Sequence, residues 1–127
     1  MTTCTVSGTL TGGQALKKIA AAFYRTVAGT EPVRDWLKSL SPEERREIGQ
    51  DIATVEYGWP IGMPVCRPLG QGLWEVRSNL LGNRSARGLF CIARGRMVLL
   101  HSFVKKARRI PDEDLALARR RMKELEE

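Results

Sequence analysis

Three apolar runs in the second half of the chain decide its predicted fold. They read Leu73-Trp74-Glu75-Val76-Arg77, then Arg87-Gly88-Leu89-Phe90-Cys91-Ile92, then Leu99-Leu100-His101-Ser102-Phe103-Val104-Lys105-Lys106. The alternation of apolar and charged side chains in the first run is typical of a strand with one packed and one exposed face. The turn signals between the runs are too short to hold crossover helices. Neighbouring strands are therefore predicted to pair antiparallel, as a meander.

Helices are predicted before and after these strands. Thr30 is expected to cap a first helix, and Ser41-Pro42-Glu43-Glu44 has the pattern of a capping box that starts a second. Pro111 opens a final helix with an acidic first turn, which suits the helix dipole. The apolar stripes of the three helices are Val33, Trp36, Leu37 and Leu40; Ile48, Ile52 and Val55; and Leu115, Ala118, Met122 and Leu125.

The order of elements predicts an α+β fold. A strand within residues 18–27 precedes the two helices, four strands follow at about 65–69, 73–78, 87–93 and 97–104, and the last helix ends the chain. We expect helices over one face of an antiparallel sheet, with the other face left open. The 127 residues suit one domain, 17–127, after a flexible or marginally ordered arm, 1–16.

Composition limits the cell compartment and the cofactors. There is no apolar run long enough to cross a bilayer and no signal-peptide pattern, so we expect a cytoplasmic protein without membrane contact. Cys4, Cys66 and Cys91 are too widely spaced for a disulfide framework or a zinc motif, and we interpret them as reduced thiols, with Cys91 buried. No Gly-rich phosphate loop or Ser–His–Asp set can be assembled. We therefore expect neither a metal nor another cofactor.

The positive charge is concentrated on the predicted sheet. Residues 67–109 hold ten Arg or Lys and one acid, Glu75, whereas residues 1–66 hold seven of each sign. Residues 110–127 hold four bases and six acids. A local excess of this kind favours a polyanion as ligand.

The same segment resembles the RelE/ParE toxin superfamily, and within it the HigB-type, phage-protein-like branch. The resemblance runs from about Phe23 to the end, and its strongest stretch is His101-Ser102-Phe103-Val104-Lys105-Lys106 with the downstream Pro111 and basic helix. It implies a toxin of a type II toxin–antitoxin pair that cleaves mRNA on the ribosome and is neutralised by an antitoxin with a helix-turn-helix domain. Ile110 and Phe90 depart from the family pattern, which usually has Thr or Ser, and often Tyr, at these places.

RNA can be cut without metal when cations stabilise the phosphorane and one group carries a proton. Arg77 and Arg87 are predicted to bind phosphate oxygens, and Lys105 and Lys106 to add charge near the leaving group. His101, the only histidine, is the predicted proton carrier because the unperturbed pKa of an imidazole is close to physiological pH. The remaining predicted substrate contacts are Arg67, Glu75, which is also the back-up base, Arg84, Arg108 and Arg109.

Each assignment has a structural alternative. His101 is about as well explained as a buried histidine bonded to backbone, and Arg77 or Arg87 by pairing with Glu75. The lysine pair would also blunt a strand edge. The three tryptophans, Trp36, Trp59 and Trp74, are expected to pack in the core or an interface. At the level of function, the alternatives are a gyrase-poisoning toxin of the same fold and a non-catalytic relative that binds only its antitoxin or nucleic acid.

Overall fold

A computed structural model of the chain describes residues 16–105 and 109–125. It contains strand β1 (Ala20–Phe23), helices α1 (Pro32–Lys38) and α2 (Pro42–Gly58), strands β2 (Cys66–Gly70), β3 (Leu73–Asn79), β4 (Ser85–Ala93) and β5 (Arg96–Lys105), and helix α3 (Asp112–Leu125). The predicted α+β fold is confirmed. The predicted arm 1–16, except for Leu16, lies outside the described residues, as do Cys4, Lys106 and Arg108.

The five strands form one sheet in the order β1-β5-β4-β3-β2. The meander is confirmed, because β2 to β5 pair antiparallel with their chain neighbours. The sheet as a whole is mixed rather than antiparallel, since β1 pairs parallel with β5. The cause is the connection: α1 and α2 intervene between β1 and β2, which lets β1 join the far edge of the sheet. β5 lies inside the sheet, between β1 and β4.

Glu56 completes the outer side of β1. Its buried carboxylate accepts a hydrogen bond from the Ala21 amide at 2.7 Å and pairs with Lys17 at 3.2 Å, while its carbonyl accepts from the amides of Lys18 and Ile19. The side chain and the carbonyl of this α2 residue thus satisfy backbone donors that another strand would otherwise bind.

The capping chemistry follows the sequence at α2 and departs from it at α1. Ser41 accepts a hydrogen bond from the Glu44 amide and Glu44 reaches back to the Ser41 amide, so the predicted capping box is confirmed. The prediction that Thr30 caps α1 is wrong, because the N-cap is Glu31. The Thr30 hydroxyl is instead bonded to the hydroxyl of Thr26 at 2.7 Å in the preceding turn.

Two apolar cores lie on opposite faces of the sheet. On one face α1 and α2 cover a core that includes Val33, Val55, Val76, Phe90 and Leu99. On the other face α3 packs through Leu115, Ala118 and Met122 on a core that includes Leu73, Leu89 and Leu100. The expectation that one face stays open is therefore wrong for the part beneath α3, whose apolar stripe needs its own partner surface. The rest of that face carries the residues described below.

Burial agrees with several predictions for single side chains. Trp59 and Trp74 pack edge to face on the first core with ring centroids 4.9 Å apart, and Trp36 packs on a smaller cluster beside α2. Cys91 is buried, as expected. Burial also raises the pKa of the Cys66 thiol to about 11, so this thiol stays protonated at neutral pH.

Candidate functional site

Strand register places the basic residues on the α3 face of the sheet, beyond the area that α3 covers. Arg67 on β2 lies opposite Glu75 on β3, and Arg77 on β3 lies opposite Arg87 on β4. Directly opposed residues of antiparallel strands point to the same side. We call Arg67, Glu75, Arg77, Arg87 and Lys105 the cationic cluster, in which four cations surround one carboxylate and leave three positive charges uncompensated.

Glu75 forms the buried centre of the cluster, with only 1% of its side chain exposed. One carboxylate oxygen lies 3.4 Å from Nε of Arg67 and the other 3.2 Å from Nε of Arg87. These are ion-pair distances, but neither Nε nor the Glu75 oxygen beside Arg87 forms a directed hydrogen bond among the described residues. The cluster therefore contains buried polar atoms that are held by ion pairing rather than by directed hydrogen bonds.

Burial and mutual repulsion act on the cations. The Arg87 side chain is 5% exposed, and burial lowers the pKa of its guanidinium; Glu75 opposes this shift while Arg77 and Arg67 add to it. Desolvation and then the charge of Arg87 lower the pKa of Lys105. Burial is the main cause of both shifts and the neighbouring cations add to it, so an anion bound here would oppose them.

His101 lies at the border between the cluster and α3. On the neighbouring strand β4, Leu89 lies opposite His101, and Leu89 in turn lies opposite Glu75 on β3. The histidine therefore shares a row across the sheet with the centre of the cluster. Nε2 of His101 lies 2.6 Å from a carboxylate oxygen of Asp114 in the first turn of α3. The side chain of His101 is 18% exposed and that of Asp114 is 23% exposed. The partner is thus a carboxylate, not the backbone group that the structural alternative proposed.

The other ring nitrogen of His101, Nδ1, has no hydrogen-bond partner within the part of the chain that is described. A carboxylate on one nitrogen fixes the orientation of an imidazole and leaves the second nitrogen for another group. The ring of Phe103, 5.6 Å from the imidazole between centroids, packs beside it. His101 is consequently held in place but still available on one side.

Four of the ten predicted site residues are not placed in the cluster: two are paired with acids elsewhere, and two lie outside the described residues. Arg84 forms an ion pair with Glu44 at the start of α2. Arg109, 80% exposed, pairs with Asp112 at 3.0 Å. Lys106 and Arg108 lie outside the described residues. The structure thus brings together Arg67, Glu75, Arg77, Arg87, His101 and Lys105 out of the predicted set.

Asp114 is the member of the site that sequence reasoning missed. An acid in a first helical turn is adequately explained by the helix dipole, and the sequence predicts this role for the acids after Pro111. The spacing of thirteen residues between His101 and Asp114 contains no local signal for contact. Only the packing of α3 on the sheet shows it.

A family model provides independent information on what the chain is. The model for the phage-derived protein Gp49-like family, DUF891, matches residues 35–123, well over half of the chain. The chain belongs to this family. The Gp49-like family is RelE-like and toxin-like, so the coarse part of the predicted resemblance is confirmed. No curated protein matches this Gp49-like chain.

Among residues 16–105 and 109–125 of this Gp49-like protein, His, Cys, Asp and Glu form no group of three or more that could hold a metal ion. In the same ranges, no helix combines the length and the apolar character that a membrane crossing requires.

Proposed function

We propose that this Gp49-like protein is a HigB-type toxin that cleaves mRNA on the ribosome without a metal ion. The observation that carries the proposal is the cationic cluster beside an oriented histidine. Three uncompensated positive charges lie near His101, whose Nε2 is bound by Asp114 and whose Nδ1 has no hydrogen-bond partner among the described residues. Membership of a toxin-like, phage-derived family supports it. Clustered cations and a proton carrier are what RNA transesterification needs.

The proposed reaction begins with proton transfer. Nδ1 of His101 removes the proton of the ribose 2′-hydroxyl, and the 2′-oxygen attacks the adjacent phosphorus. The bond from phosphorus to the 5′-oxygen breaks, leaving a 2′,3′-cyclic phosphate. Lys105, whose lowered pKa makes it the better acid, donates a proton to the departing 5′-oxygen. Asp114 stabilises the imidazolium that forms.

The arginines stabilise the charge that develops on the phosphate. Arg77 is half-buried and meets the non-bridging oxygens, while Arg67 and Arg87, whose Nε groups are paired with Glu75, add positive charge beside it. Glu75 is enclosed by these two arginines, so we assign it a positioning role rather than that of a base. We further propose that an antitoxin with a helix-turn-helix domain neutralises the toxin.

The test is induced expression in cells, followed by mapping of transcript ends and by cleavage of ribosome-bound mRNA in vitro with EDTA present. We expect growth arrest with cuts in the ribosomal A site, and loss of both in His101→Ala. Arg46→Ala, at an exposed site on α2, is the matched control and should behave like the wild type.

Three outcomes would contradict the proposal. Intact transcripts in arrested cells would exclude mRNA cleavage. DNA breaks with SOS induction that persist in His101→Ala would indicate a gyrase poison, because that action needs no proton carrier. Binding of nucleic acid or a partner without toxicity would indicate a non-catalytic relative.

A further inference from the structure

A second basic site lies at the other end of α3 from the cationic cluster. A groove with a volume of about 510 Å³ runs between β1, the β4–β5 turn and the last turn of α3. The cluster adjoins Asp114 in the first turn of α3, whereas the groove adjoins Glu124 and Leu125 in its last turn. The body of α3 therefore separates the two sites.

Arginines line one side of the groove. Arg94 and Arg96 are exposed and have no ion-pair partner among the described residues. Arg25 forms an ion pair with the carboxylate of Glu31 at 3.3 Å. The one acid of the lining, Glu124, accepts a hydrogen bond from the Tyr24 hydroxyl. Positive charge in the groove is therefore only partly compensated.

Apolar side chains form the rest of the wall. Ala22 and Phe23 of β1, Val98 of β5 and Leu125 of α3 contribute to it. A groove with both cationic and apolar walls fits a peptide that carries both acidic and apolar side chains.

RNA suits this groove less well. The carboxylates of Glu124 and Glu31 stand beside the arginines and would repel phosphates. The aromatic ring of Tyr24 is buried and covered by the Arg121 guanidinium at 5.2 Å, so it offers no face on which a base can stack.

We propose that this groove binds an acidic, amphipathic segment of a partner protein. Carboxylates of the segment pair with Arg94 and Arg96, and its apolar side chains enter between β1 and the end of α3. The proposal rests on the groove alone. Identifying the partner as the antitoxin would rest, in addition, on the proposed function.

The test measures binding of a fluorescein-labelled helical peptide of Glu and Leu residues, with one apolar face, to the full chain by fluorescence anisotropy. We expect saturable binding whose affinity weakens with added salt. In Arg94→Glu/Arg96→Glu the affinity should fall at least about tenfold. The control, Lys38→Glu/Arg46→Glu, makes the same change in net charge at exposed positions on α1 and α2 and should bind like the wild type.

Three results would overturn the proposal: no binding of this peptide to the wild type, an equal loss in both double variants, or displacement of the peptide by an RNA oligonucleotide at the groove. Cleavage of RNA is assayed on the same preparations. Because neither double variant alters the cationic cluster or His101, failure of the groove proposal would leave cleavage intact and can be distinguished from failure of the proposed function.

Discussion

The two faces of the sheet use the same two strands, β3 and β4, for opposite purposes. Toward α1 and α2, Val76, Gly88 and Phe90 form a close-packed apolar layer. On the opposite face, their immediate neighbours Glu75 and Arg87 hold buried charge. Because successive side chains of a strand alternate between faces, one strand can serve a packed core and a charged site at once. Substitutions on the apolar face should therefore affect folding alone, whereas substitutions on the charged face should affect chemistry as well as stability.

The largest effect is expected at the centre of the cationic cluster. Glu75→Ala should lower the free energy of unfolding by about 3–5 kcal/mol, because it leaves Arg87 buried without a counter-charge. Urea denaturation followed by tryptophan fluorescence measures this. A loss below about 1 kcal/mol would mean that the pair is solvated.

Replacing both partners should separate stability from function. Glu75→Leu/Arg87→Leu removes the charges together, so its stability should return to within about 1–2 kcal/mol of the wild type while RNA cleavage stays lost. If this double variant cleaves RNA normally, Arg87 has no part in the reaction.

The apolar face should respond in stability only. Gly88→Ala would bring its Cβ within 2.9 Å of a Val76 methyl group, and this overpacking should cost about 1–3 kcal/mol. Cleavage per folded molecule should be unchanged, which denaturation and activity measured on the same preparation can show. Reduced cleavage at full stability would contradict the separation of the two faces.

Asp114→Asn tests the link between α3 and the histidine. Loss of the charged hydrogen bond to His101 should reduce cleavage about tenfold and shift the pH profile of the reaction, with little change in stability. An unchanged pH profile would reduce Asp114 to a structural contact. Asp112→Asn, an exposed acid of the same turn, is the matched control.

Asp51 on α2 should show the smallest effect. Burial raises the pKa of its carboxyl, so its native state holds the proton more tightly than its unfolded state. The protonated carboxyl makes its full contribution to the free energy of unfolding at acid pH, and this contribution is lost as pH rises through the raised pKa. Asp51→Asn should therefore be slightly more stable than the wild type at neutral pH, with no difference below about pH 4. Thermal denaturation across pH measures this; a gain that persists in acid would contradict it.

Local patterns in the sequence predicted most of the elements. The Ser41 capping box and the meander from β2 to β5 each depend on residues close together in the chain. The position of β1 does not, because its partner β5 lies more than seventy residues away and its outer amide is satisfied by Glu56. No periodicity within β1 carries that information.

The candidate site was predictable to a similar degree. Charge counting identified Arg77, Arg87 and Lys105, since a cation excess is visible in composition. The roles within the site were not predictable, because burial decides them: Glu75 becomes the enclosed centre and Asp114 the partner of His101 only when α3 packs on the sheet. Arg84 and Arg109, equally basic, are paired with acids elsewhere.

The most direct test of the account is to locate bound RNA on the folded protein. Chemical-shift mapping of the ¹⁵N-labelled wild type with an oligonucleotide whose 2′-hydroxyl at the cleavage site is replaced by hydrogen leaves the complex uncut. We predict perturbations centred on Arg77, Arg87, His101 and Lys105. Perturbations confined to α1 and α2, or to the groove beside Arg94 and Arg96, would contradict the assignment of the cationic cluster as the RNA site.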